Sequence, residues 1–293
     1  MIGVPRVICA PARPVLLGEG PVWDERTQIL YWVDIERGEL HQCKADGSQS
    51  QVTPIGERLG CIALRDQNDG LVAGLEHRVA FLSPNPISIE TLTAPEAELT
   101  GNRSNDGKCD PFGRFWLGTL DEAGETASGW LYRIDPDGHT VPTAGPFIST
   151  NGPEFSADGK TLYCVDTYSK VIYSYSLNAK GELSDQRAFV RFKDPSWGYP
   201  DGLTSDREGC LWVAHWAGSR ISRFSPNGEL LQVIQLPVSQ VTSCAFGGND
   251  LNMLYITSAS IGLENSATPE ALAGTVFAVG LDVGGSPANR FAG

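Results

Sequence analysis

Apolar residues in this chain come in short runs broken by glycine, aspartate and proline, and the runs repeat. The clearest copy is Asn151-Gly152-Pro153-Glu154-Phe155-Ser156-Ala157-Asp158-Gly159-Lys160-Thr161-Leu162-Tyr163. It reads as a polar residue, a glycine, a short strand, an Asp-Gly turn and a second strand ending in an aromatic. Glu19-Gly20 leads in the same way to Leu30-Tyr31-Trp32, Asp106-Gly107 to Phe115-Trp116, and Asp201-Gly202 to Leu211-Trp212. Weaker copies begin at Leu59-Gly60 and Ser243-Cys244. The copies start roughly 40 to 50 residues apart, the period of propeller blades. The pattern therefore predicts an all-β chain, a six-bladed β-propeller filling residues 1–293 as a single domain.

Within the blades, Val171–Leu177 alternates at period two, as a half-buried strand does. The segment from Arg6 to Leu17 precedes the first full repeat and holds two β-favouring runs. A closed propeller must hide its sheet edges, so this N-terminal segment is expected to supply a strand that closes the last blade. The stretch from Ser83 to Thr100, with three prolines, is expected to be a long excursion with a helical turn near Glu96. Blade six is expected to carry a polar insertion reaching Ala273.

Bulk properties narrow the classes. The formal net charge of −13 argues against nucleic acid or an anionic membrane as partner. No stretch approaches the roughly 18 apolar residues of a membrane span. The first residues, to Leu17, lack an apolar signal-peptide core. The seven cysteines are scattered singly without CxxC pairs, which suits buried thiols in a reducing compartment better than a disulfide framework. A cytoplasmic monomer is the expectation.

Equivalent positions of a propeller repeat lie on a ring, so the residue before each repeat glycine is informative. Those residues are Glu19, Leu59, Asp106, Asn151, Asp201 and Ser243. Taken singly, an Asp or Asn before Gly is explained as a turn cap. Recurring in several repeats, these side chains would place carboxylates close together, which a divalent cation would offset. Oxygen ligands without His or Cys suit Ca²⁺, Mg²⁺ or Mn²⁺. No GxSxG motif is present, and His41, His77, His139 and His215 show no ligand spacing. His215-Trp216 follows a blade strand, where a pocket-lining role competes with a structural one.

At these residues the chain resembles the SMP-30/gluconolactonase/regucalcin family of six-bladed propeller lactonases. The matching motifs are Gly18-Glu19-Gly20-Pro21-Val22-Trp23, Asn102-Arg103-Ser104-Asn105-Asp106-Gly107, Thr150-Asn151-Gly152 and Tyr199-Pro200-Asp201-Gly202, in family order along the chain. Ser243-Cys244-Ala245-Phe246-Gly247-Gly248 and the closing Phe291-Ala292-Gly293 match as well. The resemblance implies that Glu19, Asn151 and Asp201 hold one divalent metal ion (Ca, Zn, Mn, Mg or Fe(II)). It implies that Arg103 and Asn105 bind substrate, whereas the repeat alignment had pointed to Asp106; blade three is then offset by one residue. Some relatives add an acidic residue after the Gly-Thr of blade three; a direct count falls on Ala123, leaving Asp121 and Glu122 as candidates. The implied reaction is hydrolysis of a small sugar aldonolactone (glucono-, arabinono-, xylono- or galactono-lactone), with Asp201 as the catalytic base. Alternatives are a non-catalytic binding platform and another metal-dependent esterase of paraoxonase or phosphotriesterase type.

Overall fold

The computed structural model describes residues 3–11, 13–67, 70–263 and 270–293. In chain order the strands are β1 (Arg6–Cys9), β2 (Gly18–Asp24), β3 (Ile29–Asp34), β4 (Glu39–Cys43), β5 (Gln51–Pro54), β6 (Leu59–Leu64), β7 (Leu71–Leu75), β8 (Val79–Pro84) and β9 (Ile87–Thr93). Then come β10 (Asn102–Cys109), β11 (Phe115–Asp121), β12 (Gly129–Ile134), β13 (Thr140–Phe147), β14 (Thr150–Phe155), β15 (Thr161–Asp166), β16 (Val171–Leu177) and β17 (Leu183–Arg191). The rest are β18 (Tyr199–Ser205), β19 (Leu211–Trp216), β20 (Arg220–Phe224), β21 (Leu230–Gln235), β22 (Val241–Gly247), β23 (Met253–Ser258) and β24 (Val276–Gly280). Five four-stranded antiparallel sheets are read straight off the chain, from β2–β5 to β18–β21, and the sixth has the order β1-β24-β23-β22. This is the six-bladed β-propeller fold. In the sixth sheet the chain's first strand pairs Arg6 with Ala278, Val7 with Phe277 and Cys9 with Val276.

Two compact units are distinguished: Met1–Gly56 with Phe192–Pro287, and Glu57–Arg191 with Ala288–Gly293. In each, the core lies between neighbouring sheets and follows the period of two. In the first unit Leu254 and Ile256 of β23 pack with Trp212 and Ala214, while Tyr255 between them packs with Trp23 and Trp32. In the second unit Phe115 and Leu117 of β11 pack with Cys61 and Val72, while Trp116 packs with Phe155 and Leu162. A middle strand thus buries both faces, which is why its sequence is continuously apolar and not alternating. Fully burying each such large side chain contributes roughly 1.5–3 kcal/mol.

Turn chemistry repeats with the strands. Asp110 Oδ1 accepts from the amides of Phe112 and Arg114, and its Oδ2 accepts from Trp116 Nε1 at 2.8 Å and Arg114 Nε at 2.6 Å. Asp206 does the same for Glu208, Cys210, Trp212 and Arg223. One buried carboxylate therefore ties the first turn of a blade to its central tryptophan.

The expected excursion from Ser83 to Thr100 is shorter than read: Ile87–Thr93 is the outer strand β9, mostly exposed and so lacking an apolar signature. Glu96 lies in a turn beside it and is buried, accepting from Asn102 Nδ2, Thr119 Oγ1 and Tyr132 Oη. The insertion before Ala273 falls partly on residues 264–269, outside the described residues. All seven cysteines are free and buried. No helix among the described residues is long and apolar enough to cross a membrane.

Candidate active site

Every sheet carries a one-residue irregularity in the strand that opens with the repeat phrase. Glu19 pairs with Val33, and the next pair is Val22 with Tyr31; Asn151 pairs with Val165, then Glu154 with Tyr163. Pro200 pairs with His215, then Leu203 with Val213, so that Asp201 lies in the irregularity. The strands β10, β22 and β6 shift likewise between Ser104 and Gly107, Val241 and Cys244, and Leu59 and Cys61. A bulge of this kind frees a residue from the ladder and re-aims its side chain.

The bulge of β10 holds both Asn105 and Asp106, which lie opposite Gly118 in β11 and make different contacts. Asp106 turns to the backbone: Oδ1 accepts from Gly107 N at 2.7 Å and Oδ2 from Gly152 N at 3.0 Å. Burial pushes its carboxyl up to about 6, opposed by the charge of Lys108. Asn105 bonds to side chains as well as to the backbone. Its Nδ2 donates to Thr150 O at 2.8 Å and to Asn151 Oδ1 at 3.1 Å, while its Oδ1 accepts from Arg103 Nη1 at 2.9 Å. Arg103 Nη1 also donates to Ser104 O, and Asn151 Nδ2 donates to Thr167 Oγ1 at 2.9 Å. Arg103, Asn105 and Asn151 therefore form one hydrogen-bonded chain in the second unit.

The acidic pair after blade three's Gly-Thr separates as cleanly. The Asp121 carboxylate accepts from the amides of Glu125 and Thr126 and caps its own exposed loop, which lowers its pKa. Glu122 instead meets Arg58 and lies 3.9 Å from Arg103 Nε. Glu122 is thus the acidic neighbour of Arg103.

In the first unit Glu19 and Asp201 are both buried, 6% and 5% exposed. Gly20 N donates to Glu19 Oε2 at 3.1 Å. Their strands flank β22: Thr242 Oγ1 donates to Gly18 O, next to Glu19, and a Cβ at Gly202 would fall 2.2 Å from Ser243 Oγ. Gly202 is therefore needed for the close approach of Asp201's strand to Ser243. His215 is fully buried, stacked on Phe192 with centroids 4.5 Å apart, and its Nδ1 lies 2.8 Å from Trp197 O. Arg220 Nε is 3.3 Å from the same nitrogen. The shorter bond decides the tautomer: Nδ1 carries the proton and donates to the carbonyl. His215 thus fastens the 3₁₀ turn Pro195–Trp197, which precedes Asp201's strand.

The donors of the implied metal set fit a hard cation. Glu19 and Asp201 would supply carboxylate oxygens. The Asn151 carboxamide is oriented by Thr167 at one end and Asn105 at the other, which leaves Oδ1 a second lone pair. Among the described residues no three His, Cys, Asp or Glu side chains gather as a metal cluster; this set has two carboxylates and an amide.

A propeller with a buried arginine–amide chain on its bulged strands is the class these features define. Residues 17–260 match the SMP-30/Gluconolactonase/LRE-like region, and the chain belongs to that family. It is 39% identical over 290 residues to a 6-deoxy-6-sulfogluconolactonase of Pseudomonas putida, covering 97% of this chain and 98% of that protein. It is 38% identical over 281 residues to an L-arabinolactonase of Azospirillum brasilense, covering 94% and 92%. Among solved structures, a luciferin-regenerating enzyme superposes with a TM-score of 0.92 at 32% identity, covering 99% of each chain. A calcium-binding regucalcin from Agrobacterium tumefaciens gives 0.91 at 27% identity, covering 99% and 97%.

Proposed function

We propose that this chain is a sugar lactonase that hydrolyses the ring ester of a small aldonolactone to the open acid, using one divalent cation. Glu19, Asn151 and Asp201 are its ligands in this reading, and Arg103 and Asn105 meet the substrate. The hydrogen-bonded chain Arg103–Asn105–Asn151 carries the reading, because it joins the substrate-binding pair to one of the ligands. The sulfogluconolactonase and arabinolactonase relatives support a sugar lactone as the substrate class.

When bound, the cation supplies Lewis acidity at the ring carbonyl and a lower pKa for water. Asp201 accepts the proton of the attacking water and returns it to the ring oxygen as the ester C–O bond breaks. The Arg103 guanidinium, anchored through Nη1, presents a rigid donor fork that orients the sugar hydroxyls. Small polar substrates of this kind need neither a nucleic acid nor a membrane partner, and we place the activity in a cytoplasmic monomer. The test is proton release from arabinono-, xylono-, galactono- and glucono-lactone, with and without chelator and with each divalent metal restored. Metal-restored turnover of at least one lactone is expected; chelator-insensitive turnover, or none with any lactone, overturns the reading.

A further inference from the structure

Away from these residues, two thiols of the first unit lie in one core cluster. The β4–β5 hairpin packs on β1: a Cβ at Gly47 (φ +83°) would fall 1.7 Å from Ile8 O, so only glycine permits the contact. Tyr255 Oη donates to Ala45 O in the same hairpin at 3.4 Å. This docking brings Cys9, at the end of β1, into one core cluster with Cys43, at the end of β4. Cys9 Sγ lies 3.7 Å from Ser50 Oγ, one step beyond the Gln42–Gln51 pair of that hairpin and so across from Cys43. Cys43 is fully buried, whereas Cys9 keeps 5% exposure.

We propose that Cys9 and Cys43 are a peroxide-sensitive dithiol, oxidised to a disulfide that joins the N-terminal strand to the hairpin of the first blade. The hydrogen bonds from Cys43 and Ser50 favour the Cys9 thiolate, whereas burial raises Cys109, Cys164 and Cys210. The thiolate is the nucleophile. Cys9 sulfur attacks one peroxide oxygen, the O–O bond breaks and hydroxide leaves, taking up a proton to become water; Cys9 is now a sulfenic acid. Cys43 sulfur then attacks Cys9 sulfur, loses its proton and expels a second water as the S–S bond forms. Two thiols are oxidised by two electrons and one hydrogen peroxide is reduced to two waters. The cross-link closes a covalent loop between two segments otherwise joined by non-covalent contacts, so it raises resistance to unfolding.

The native protein treated with stoichiometric hydrogen peroxide, alkylated and digested without reductant, is expected to yield a Cys9–Cys43 linked peptide lighter by two hydrogens. Dithiothreitol reverses it, and the melting temperature of the oxidised protein rises. In Cys43→Ser, Cys9 stops at a sulfenic acid that dimedone traps. Alkylation of both Cys9 and Cys43 after peroxide, or prior oxidation of another cysteine, overturns the proposal whether or not the protein proves to be a lactonase.

Discussion

Asn105 Nδ2 donates to Asn151 Oδ1 at 3.1 Å although the two residues stand 46 positions apart. The bond joins the bulges of two adjacent blades and sets which end of the Asn151 carboxamide is oxygen. Asn105→Ala releases that amide while leaving its Thr167 partner in place. Loss of such an outer partner typically costs roughly 10–100-fold in metal affinity. Calorimetric titration with Ca²⁺ or Mn²⁺ measures it; an unchanged affinity with a raised KM would confine Asn105 to substrate.

Asp201→Asn keeps the volume and one ligating oxygen but removes the basic one. The close approach of Gly202 to Ser243 does not depend on the side chain at 201, and the substitution is isosteric, so the protein is expected to stay folded. Turnover is expected to fall by roughly 10²–10⁴-fold even at saturating metal. Full recovery on adding metal would leave Asp201 as a ligand only, and another group would have to take the proton.

Arg103→Ala is expected to keep bound metal at the wild-type level by elemental analysis while lowering kcat/KM. Arg103→Lys should not restore it, because an ammonium cannot reproduce the two bonds that Nη1 makes while leaving a planar fork for the substrate. Metal lost together with activity would assign Arg103 to the scaffold.

His215 gives the fold a definite acid response. Burial pushes its imidazole down to about 3, opposed by the Trp197 carbonyl, against 6.5 for the ordinary group. The folded state therefore holds it neutral while the unfolded chain takes up a proton. Its contribution is complete above about pH 6.5 and is lost as pH falls towards 3, at roughly 1.4 kcal/mol per pH unit. By pH 5 the loss is about 2 kcal/mol. His215→Phe retains the stack on Phe192 and should flatten that slope, at a cost of about 1 kcal/mol at pH 7 for the carbonyl left without its donor. Urea midpoints at pH 7 and pH 5 for both proteins decide it; equal slopes would show that other groups set the acid response.

The six blades were legible because each first turn carries an aspartate, usually with a glycine, and each second strand a large apolar anchor, as at Leu30 and Trp32 or Leu211 and Trp212. What escaped the sequence is the product of registers and partners. Asp106 stands at the repeat position before glycine, yet beside the extra residue in β10 it bonds to backbone amides, whereas Asn105 makes the side-chain contacts to Arg103 and Asn151. Nothing in the pattern separates Asp121 from Glu122, because the difference lies in the amides of residues 125 and 126 that claim the first. Strand β9 hid because an outermost strand exposed on most positions has no reason to be apolar. The role of Glu96 hid because two of its three donors come from residues 119 and 132, beyond any local window.

The recurrent bulge has a consequence for how such a chain can change. At each one the strand ladder resumes after the extra residue, so Glu19, Asn105, Asn151, Asp201 and Ser243 stand beside or within a break that the neighbouring pairs do not need. A combinatorial library drawn at these five addresses should therefore return mostly soluble protein with altered reactivity, whereas the same library at Val33 and Val165, the buried partners of Glu19 and Asn151, should return aggregates. New chemistry can be sampled here with little selection against folding.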